Sequence, residues 1–401
     1  MMKNNKLVLA YSGGLDTSYA VRYLSDKGYE VHAAMVDTGG FDPEDIAEAK
    51  EKARIMGATS FRVLDVQESY YHQCIRYLIF GNILRNNTYP MSVSAERMIQ
   101  ALTLVKFAKD IGAGAIAHGS TAAGNDQVRF DLVFSALGEG LEIITPIRDQ
   151  NLSREEEMEY LNQHGIKMDW SKAKYSINKG LWGTSIGGAE TLTSDTALPE
   201  EAYPSQLKNQ DSRDVVLHFN QGEFTGIDGH HFASRIDAIK TLQKIAQDYA
   251  IGRDIHVGDT IIGIKGRVGF EAAAPMIIIK AHHLLEKHTL SKWQLYWKDQ
   301  LANWYGMMIH EARFLDPVMR DIEAYLENSQ HHVSGDVFVR LLPYRFELQG
   351  IHSENDLMKS KAGQYGETNK AWDATDAKGF IKIYGNQDII YHQLHNSNNQ
   401  E

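Results

Sequence analysis

Cysteine is almost absent: Cys74 is the only one in 401 residues. One thiol cannot close an internal disulfide, and it leaves no Cys-pair zinc or redox site. Its tyrosine-rich, helical surroundings point to a half-buried structural thiol rather than a nucleophile. Positive charge is also in deficit. Lys and Arg number 41 against 52 Asp and Glu, a formal net charge of -11, so no basic face for nucleic acid is expected. Long apolar runs are missing too, since AAAPMIII at 272–279 falls far short of the roughly 18 residues that a membrane span needs. The chain passes from MMKNN straight into a short strand with no signal-peptide core, and a cytoplasmic location is therefore expected. Internal repeats and low-complexity tracts are absent as well.

What is present is ordinary globular composition, 43% hydrophobic and 23% charged, in a length that suits two domains. The first 150 residues alternate strand and helix. KLVLAY, EVHAAMVD, SFRVLDV, AGAIAHG and LEIITPI read as strands, with helices between them. Asp42 is placed to cap the helix that Pro43 begins, and SREE at 153–156 is a capping box for a helix closing near Gly165. Such alternation predicts an α/β domain whose parallel sheet binds ligand at the carboxyl ends of its strands. After that the pattern changes to short strands with glycine turns, an amphipathic helix over 234–252, a strand in DTIIGIKGRVGF, helices over 283–328 and a hairpin in DVFVRLLPYRFELQGI. A second, α+β domain follows from this. The expected boundaries are 1–168, 169–365 and a C-terminal arm over 366–401 whose apolar stretch docks on another subunit.

The stretch YSGGLDTS carries the chemistry. Gly13 and Gly14 let main-chain N–H groups approach an anion, Ser12, Thr17 and Ser18 add hydroxyls, and the following helix points its positive end at the same place. This reads as a phosphate site, with a plain strand-to-helix turn capped by Asp16 or Thr17 as the alternative. It is not a Walker loop, for it has no lysine, nor a dinucleotide fingerprint, for the third glycine is missing.

SGGLDTS resembles the pyrophosphate loop of the N-type ATP pyrophosphatases. Together with HGSTAAGNDQVRFDL at 118–132, and more weakly YSINKGLWGTSI and ATDAKGFIKI, the chain resembles the argininosuccinate synthases over nearly its whole length. The resemblance implies a HUP-like nucleotide-binding domain, a synthetase and multimerisation domain, ATP and Mg²⁺, and a homotetramer. It implies ligation of citrulline with aspartate through a citrullyl-adenylate, releasing pyrophosphate and AMP. Ala10, Tyr11, Ser12, Gly13, Gly14, Asp16, Thr17, Ser18, Val36 and Gly119 would hold ATP, with Asp16 near the metal. Thr121, Asn125 and Asp126 would hold aspartate, while Arg129 and Asn125 face citrulline. Tyr89, Ser94, Ser176 and Ser185 match citrulline contacts.

Four departures accompany the resemblance. Ala122 and Ala123 stand where the family has Gly-Lys, which removes a phosphate-contacting lysine. Val93, Gly258 and Phe270 stand where the family carries Thr, Glu and Tyr, and that Glu pairs with citrulline's α-ammonium. A buried ammonium without its partner costs about 3–5 kcal/mol. An α-N-acylated citrulline, such as the acetyl or succinyl derivative, is thus an expected alternative substrate, with the acyl group in the space that Gly258 opens. Other pyrophosphate-loop enzymes are disfavoured, because thiolation wants a cysteine pair, tRNA a basic face and amidotransfer a glutaminase nucleophile. An adenine-nucleotide sensor on the same fold is the non-enzyme alternative. The histidine pairs 230/231, 282/283 and 331/332 lack metal-ligand spacing and are expected to be solvated or capping. The stripe Trp293, Trp297, Trp304 is expected to be helix packing.

Overall fold

Leu7, Val8 and Leu9 form an apolar run with no accessible surface, as expected of a strand covered on both faces. They belong to β1 (Lys6–Ala10), the centre of a five-stranded sheet. The computed structural model describes residues 4–166, 168, 175–360, 363, 366 and 371–396. In chain order β1 is followed by α1 (Leu15–Asp26), β2 (Glu30–Asp37), α2 (Pro43–Met56) and β3 (Ser60–Asp65). Helical turns run from Gln67 to Phe80 through a π-helical stretch, Tyr71–Ile75, and lead to α3 (Ser92–Asp110). Then come β4 (Ala115–Ala117), α4 (Asp126–Leu137), β5 (Glu142–Ile144) and α5 (Arg154–Gln163).

The strand order is β3-β2-β1-β4-β5, with every pairing parallel. Chain direction across the sheet reverses between β1 and β4, which opens a crevice at their carboxyl ends. The helix ends expected from the sequence form as their chemistry requires. Asp42 and Asp45 make a reciprocal capping box around Pro43, and Gly57 closes α2 at φ +95°. Ser153 and Glu156 cap α5 reciprocally at 3.3 and 2.8 Å.

The second half contains β6 (Ser176–Gly180), β7 (Gly183–Gly187), β8 (Arg213–Asn220), β9 (Glu223–Ile227) and β10 (His230–His231). After α6 (Arg235–Ala246) come β11 (Arg253–Asp259), β12 (Lys265–Glu271), α7 (Ala273–Thr289), α8 (Lys292–His310), α9 (Val318–Ser329), β13 (Gly335–Leu342) and β14 (Arg345–His352). Two antiparallel sheets result, β10-β9-β8-β13-β14 and β11-β12-β7-β6. DTIIGIKGRVGF is not one strand as expected. Thr260 caps a turn by accepting from Ile264 N at 3.0 Å, and β11 precedes it while β12 follows. Residues 273–282 are helical, for Ile277, Ile278 and Ile279 on α7 are all buried in the core.

Three further expectations are corrected. Cys74 is wholly rather than half buried. His282 is a buried histidine held by Asn82 Oδ1 at 2.6 Å and Gln330 Oε1 at 2.9 Å, and burial pushes its pKa down to about 4. It adjoins a buried ion pair, Lys298 Nζ to Glu286 Oε2 at 2.9 Å, which ties α8 to α7. The tryptophans do not pack within this unit: Trp293, Trp297 and Trp304 are 64%, 57% and 59% exposed. The cause is the helix period, since α8 buries the face at Lys298, Ala302, Tyr305 and Ile309.

The chain divides into two units, Met1–Glu354 and Asn355–Glu401. The second contains α10 (Ala374–Tyr384) and α11 (Asn386–Asn396), neither of which buries a residue. No helix among the described residues is long and apolar enough to cross a membrane.

Candidate active site

The loop after β1 turns at Gly13, whose φ of +81° is left-handed and whose added Cβ would lie 3.1 Å from Ala49 Cβ. Gly14 takes the N-cap position of α1 and no side chain caps the helix there. Neither Asp16 nor Thr17 is the cap of the alternative reading. Thr17 Oγ1 instead bonds Gly14 O at 3.3 Å and Ser12 Oγ at 3.3 Å, which draws the hydroxyls together at the helix start. Uncapped first-turn N–H groups, two hydroxyls and a helix dipole form an anion cradle. The lysine absent from the loop sequence comes from elsewhere: Lys52 on α2 reaches Gly13 O at 3.4 Å and pairs with Glu48 at 2.7 Å. Ser18 stands apart, fully buried with its Oγ 3.5 Å from Tyr11 OH. It is one turn into the helix and supports the loop from beneath.

Asp16 faces the inside of α5. Glu157 there is 1% exposed, its Oε2 has no hydrogen-bond partner, and its carboxyl lies beside that of Asp16. Burial first, and the neighbouring Asp16 second, raise Glu157 to about 8. Two carboxyls meeting at an anion cradle are an arrangement a divalent cation would relieve.

Across the crevice, β4 delivers His118, Gly119, Ser120 and Thr121. His118 is fixed at both ring nitrogens, by Asp131 Oδ1 at 2.9 Å and by Ser120 N at 3.1 Å. A Cβ on Gly119 would lie 3.3 Å from the Asp16 carbonyl carbon, so a bare backbone lets the two loops meet. Asp126 and Arg129 lie not in a polar turn but on α4, which begins at Asp126. Asp126 accepts from Arg97 Nε and Arg129 Nη1, each at 2.9 Å. Burial alone would raise this carboxyl, yet the two guanidiniums outweigh it and hold its pKa at about 2. Arg97 also bonds Glu96, which burial lifts to about 7 against the pull of Arg97. Asn125 Oδ1 accepts from Ile261 N at 2.8 Å and anchors the turn between β11 and β12.

These groups line one cleft of about 1010 Å³. Its wall includes Ala10, Tyr11, Ser12, Gly13, Gly14, Asp16, Thr17, Val36, Gly119, Thr121, Asn125, Asp126, Arg129 and Ser176. Six expected residues are not part of that wall. Ser18 is one; Tyr89, Ser94, Ser185, Gly258 and Phe270 form or border a second cluster that Arg129 joins to the cleft. Arg129 Nη2 reaches Ser94 Oγ at 3.1 Å and His310 O at 3.1 Å. Tyr89 OH meets Ser92 Oγ at 2.9 Å and Ser185 Oγ at 3.0 Å, with the Phe270 ring 5.4 Å away and the His256 ring 5.3 Å away. The space beside Gly258 is not open: a Cβ there would lie 2.6 Å from His256 Nε2 and 3.4 Å from Asn86 Nδ2. Sequence reasoning passed over Lys52, Glu96, Arg97, His118, Glu157, His256 and His310. Arg97 alone carried a local signal, lying three residues beyond Ser94 on the same helix face.

Two family descriptions match, the arginosuccinate synthase N-terminal HUP domain over residues 6–167 and the arginosuccinate synthase C-terminal domain over 175–391. The chain belongs to the argininosuccinate synthase family. It is 36% identical to the argininosuccinate synthase of Dictyoglomus thermophilum over 393 residues, 97% of this chain and 98% of that one. It is 34% identical to those of Methanocaldococcus jannaschii and Staphylococcus carnosus, covering 96% and 99% of this chain and 97% and 99% of theirs. Membership carries the family's activity, ATP-dependent ligation of citrulline with aspartate in arginine biosynthesis.

Proposed function

We propose that the cleft performs this ligation in two displacements without a covalent enzyme intermediate. The carrying observation is the uncapped α1 N-terminus beside the Ser12 and Thr17 hydroxyls, opposite the Asp126 and Arg129 pair. In the first step the ureido oxygen attacks the α-phosphate of ATP and pyrophosphate leaves. The loop N–H groups and hydroxyls, with Lys52 nearby, stabilise the charge that gathers on it. In the second, the amine of aspartate attacks the ureido carbon and AMP leaves with the former ureido oxygen. Thr121, Asn125 and Asp126 seat aspartate, and the ionised Asp126 offers a charge partner for its ammonium. Arg129, locked by Asp126, Ser94 and His310, aligns the ureido substrate.

The residues fit Mg²⁺. Asp16 with Glu157 behind it would hold the ion, which when bound neutralises charge on the pyrophosphate. No group of three or more His, Cys, Asp or Glu among the described residues could hold a metal, so phosphate and water oxygens would complete its coordination. The exposed apolar residues of α10 and α11, Phe380, Ile381, Ile383 and Leu394 among them, support a homo-oligomer, for which a tetramer is the working assembly. A cytoplasmic site of action accords with substrates that are soluble metabolites.

The test is Asp126→Asn with adenylation read separately. The variant should still release pyrophosphate from ATP when the ureido substrate is present without aspartate, in a single-turnover burst, while losing most aspartate-dependent turnover. Equal loss of both steps would contradict the assignment of Asp126 to aspartate.

A further inference from the structure

The second cluster, which Arg129 joins to the cleft, is rich in donors and poor in available acids. Arg85 leans across it, donating from Nη2 to Asp259 O at 3.0 Å, and its Nε is buried without a partner. His256 is 6% exposed and stacks on Tyr89, and its Nδ1 also has no partner. Burial, with Arg85 beside it, pushes the imidazole down to about 4, so it stands neutral. Arg129 and His310 complete the surroundings, and His310 is likewise held neutral, to about 3, by burial and by Arg129. The carboxylates nearby are engaged. Asp126 is shared by Arg97 and Arg129 and faces the seat proposed for aspartate, Asp259 pairs with Lys265 at 2.6 Å, and Glu96 bonds Arg97 and Thr38. Exposed Asp254 and Glu311 act on His256 and Arg85 respectively.

Gly258 lies two residues beyond His256 on the same face of β11, and the His256 ring leans over it. A side chain at 258 would need the place that the His256 ring holds. The strand thus presents a neutral imidazole edge and a bare backbone to the cluster. A free α-ammonium brought here would meet Arg85 and Arg129, while among the described residues the buried and half-buried carboxylates close by are already paired. Like charges about 5 Å apart repel by several kcal/mol at the effective dielectric of a partly buried site. An amide nitrogen carries no such charge, and an anionic extension from it would satisfy Arg85 Nε and, with the proton on Nδ1, His256 as well.

Building on the ligase reading of the cleft, we infer that the ureido substrate is an α-N-acylated citrulline whose acyl chain ends in a carboxylate, seated against Arg85 and His256. The chemistry at the ureido group is unchanged, since the amide takes no part in either displacement. The product is the matching α-N-acylated argininosuccinate, and an amidase-type hydrolysis must later remove the acyl group to free the amino acid.

The experiment measures pyrophosphate release at saturating Mg²⁺-ATP and aspartate with citrulline, N-acetylcitrulline and N-succinylcitrulline in parallel. The expected order of kcat/KM is succinyl, then acetyl, then free citrulline, with about 100-fold or more between first and last. Free citrulline used as well as N-succinylcitrulline overturns the inference and leaves the ligase reading intact. N-acetylcitrulline used as well as N-succinylcitrulline overturns it too, because the terminal carboxylate would then find no partner. Silence with all three, in protein that still binds ATP, overturns the ligase reading and this inference with it. As a second variant measurement, Arg85→Gln should narrow the succinyl-over-acetyl ratio at least about tenfold; an unmoved ratio refutes the role of Arg85.

Discussion

Replacing Glu157 by Gln should change how stability depends on pH, and the direction follows from the site. Glu157 is nearly inaccessible and faces Asp16, and burial and that neighbour raise it from an ordinary 4.5 to about 8. The folded protein therefore holds this proton more tightly than the unfolded chain does. The resulting stabilisation is full below about pH 4.5 and is lost as pH rises through about 8. At about 1.36 kcal/mol per pH unit, the gap corresponds to an upper limit of about 5 kcal/mol. Water entering beside α5 and relaxation of Asp16 reduce this, and about 2 kcal/mol is expected. Gln cannot ionise, so Glu157→Gln should lack the loss. Urea denaturation of both proteins at pH 5.5 and pH 9, in EDTA, reads the difference. The wild type should lose about 2 kcal/mol more than the variant between the two conditions. Parallel losses would refute a Glu157 carboxyl kept protonated by its burial and by the neighbouring Asp16. Excess Mg²⁺ should flatten the wild-type dependence, because a bound cation favours the ionised pair.

Other outcomes are expected from the same geometry. Gly13→Ala puts a Cβ at a left-handed φ and 3.1 Å from Ala49 Cβ, so ATP affinity measured by titration should fall by about 1–3 kcal/mol; wild-type affinity would contradict a strained cradle. Asp126→Asn weakens the seat for aspartate's ammonium, and kcat/KM for aspartate should fall about 30-fold, or about 2 kcal/mol, more than that for the ureido substrate. Lys298→Met strands Glu286 in the core and should cost about 3–5 kcal/mol in denaturation, while adding Glu286→Leu should recover much of it.

Much of the fold was legible because its chemistry is local. The apolar run in β1, the Asp42 and Ser153 caps and the glycine turn at 13–14 depend on neighbouring residues and formed as expected. The parallel sheet followed from the alternation of elements. Misreadings arose where tertiary contacts decided. DTIIGIKGRVGF looked continuous, yet its first residues turn because Thr260 bonds across to Ile264. The histidine at 282 looked solvated until Asn82 and Gln330, 200 and 48 residues away, enclosed it. The tryptophan stripe was periodic, as a packed face would be, but sequence does not say which face of α8 turns inward. In the site, loop residues were legible from their motif. Lys52, Arg97, Glu157 and His256 were not, since each acts on a residue brought near only by folding. Gly258 shows the limit most clearly: the missing side chain was visible, whereas the His256 ring in its place was not.

In the proposed sequence the ureido oxygen attacks the α-phosphate before aspartate bonds to carbon. Turnover of a ureido substrate labelled with ¹⁸O at that oxygen, followed by mass spectrometry of the AMP, tests it directly. Each AMP formed should carry one labelled oxygen. AMP without label, with the isotope kept elsewhere, would contradict it.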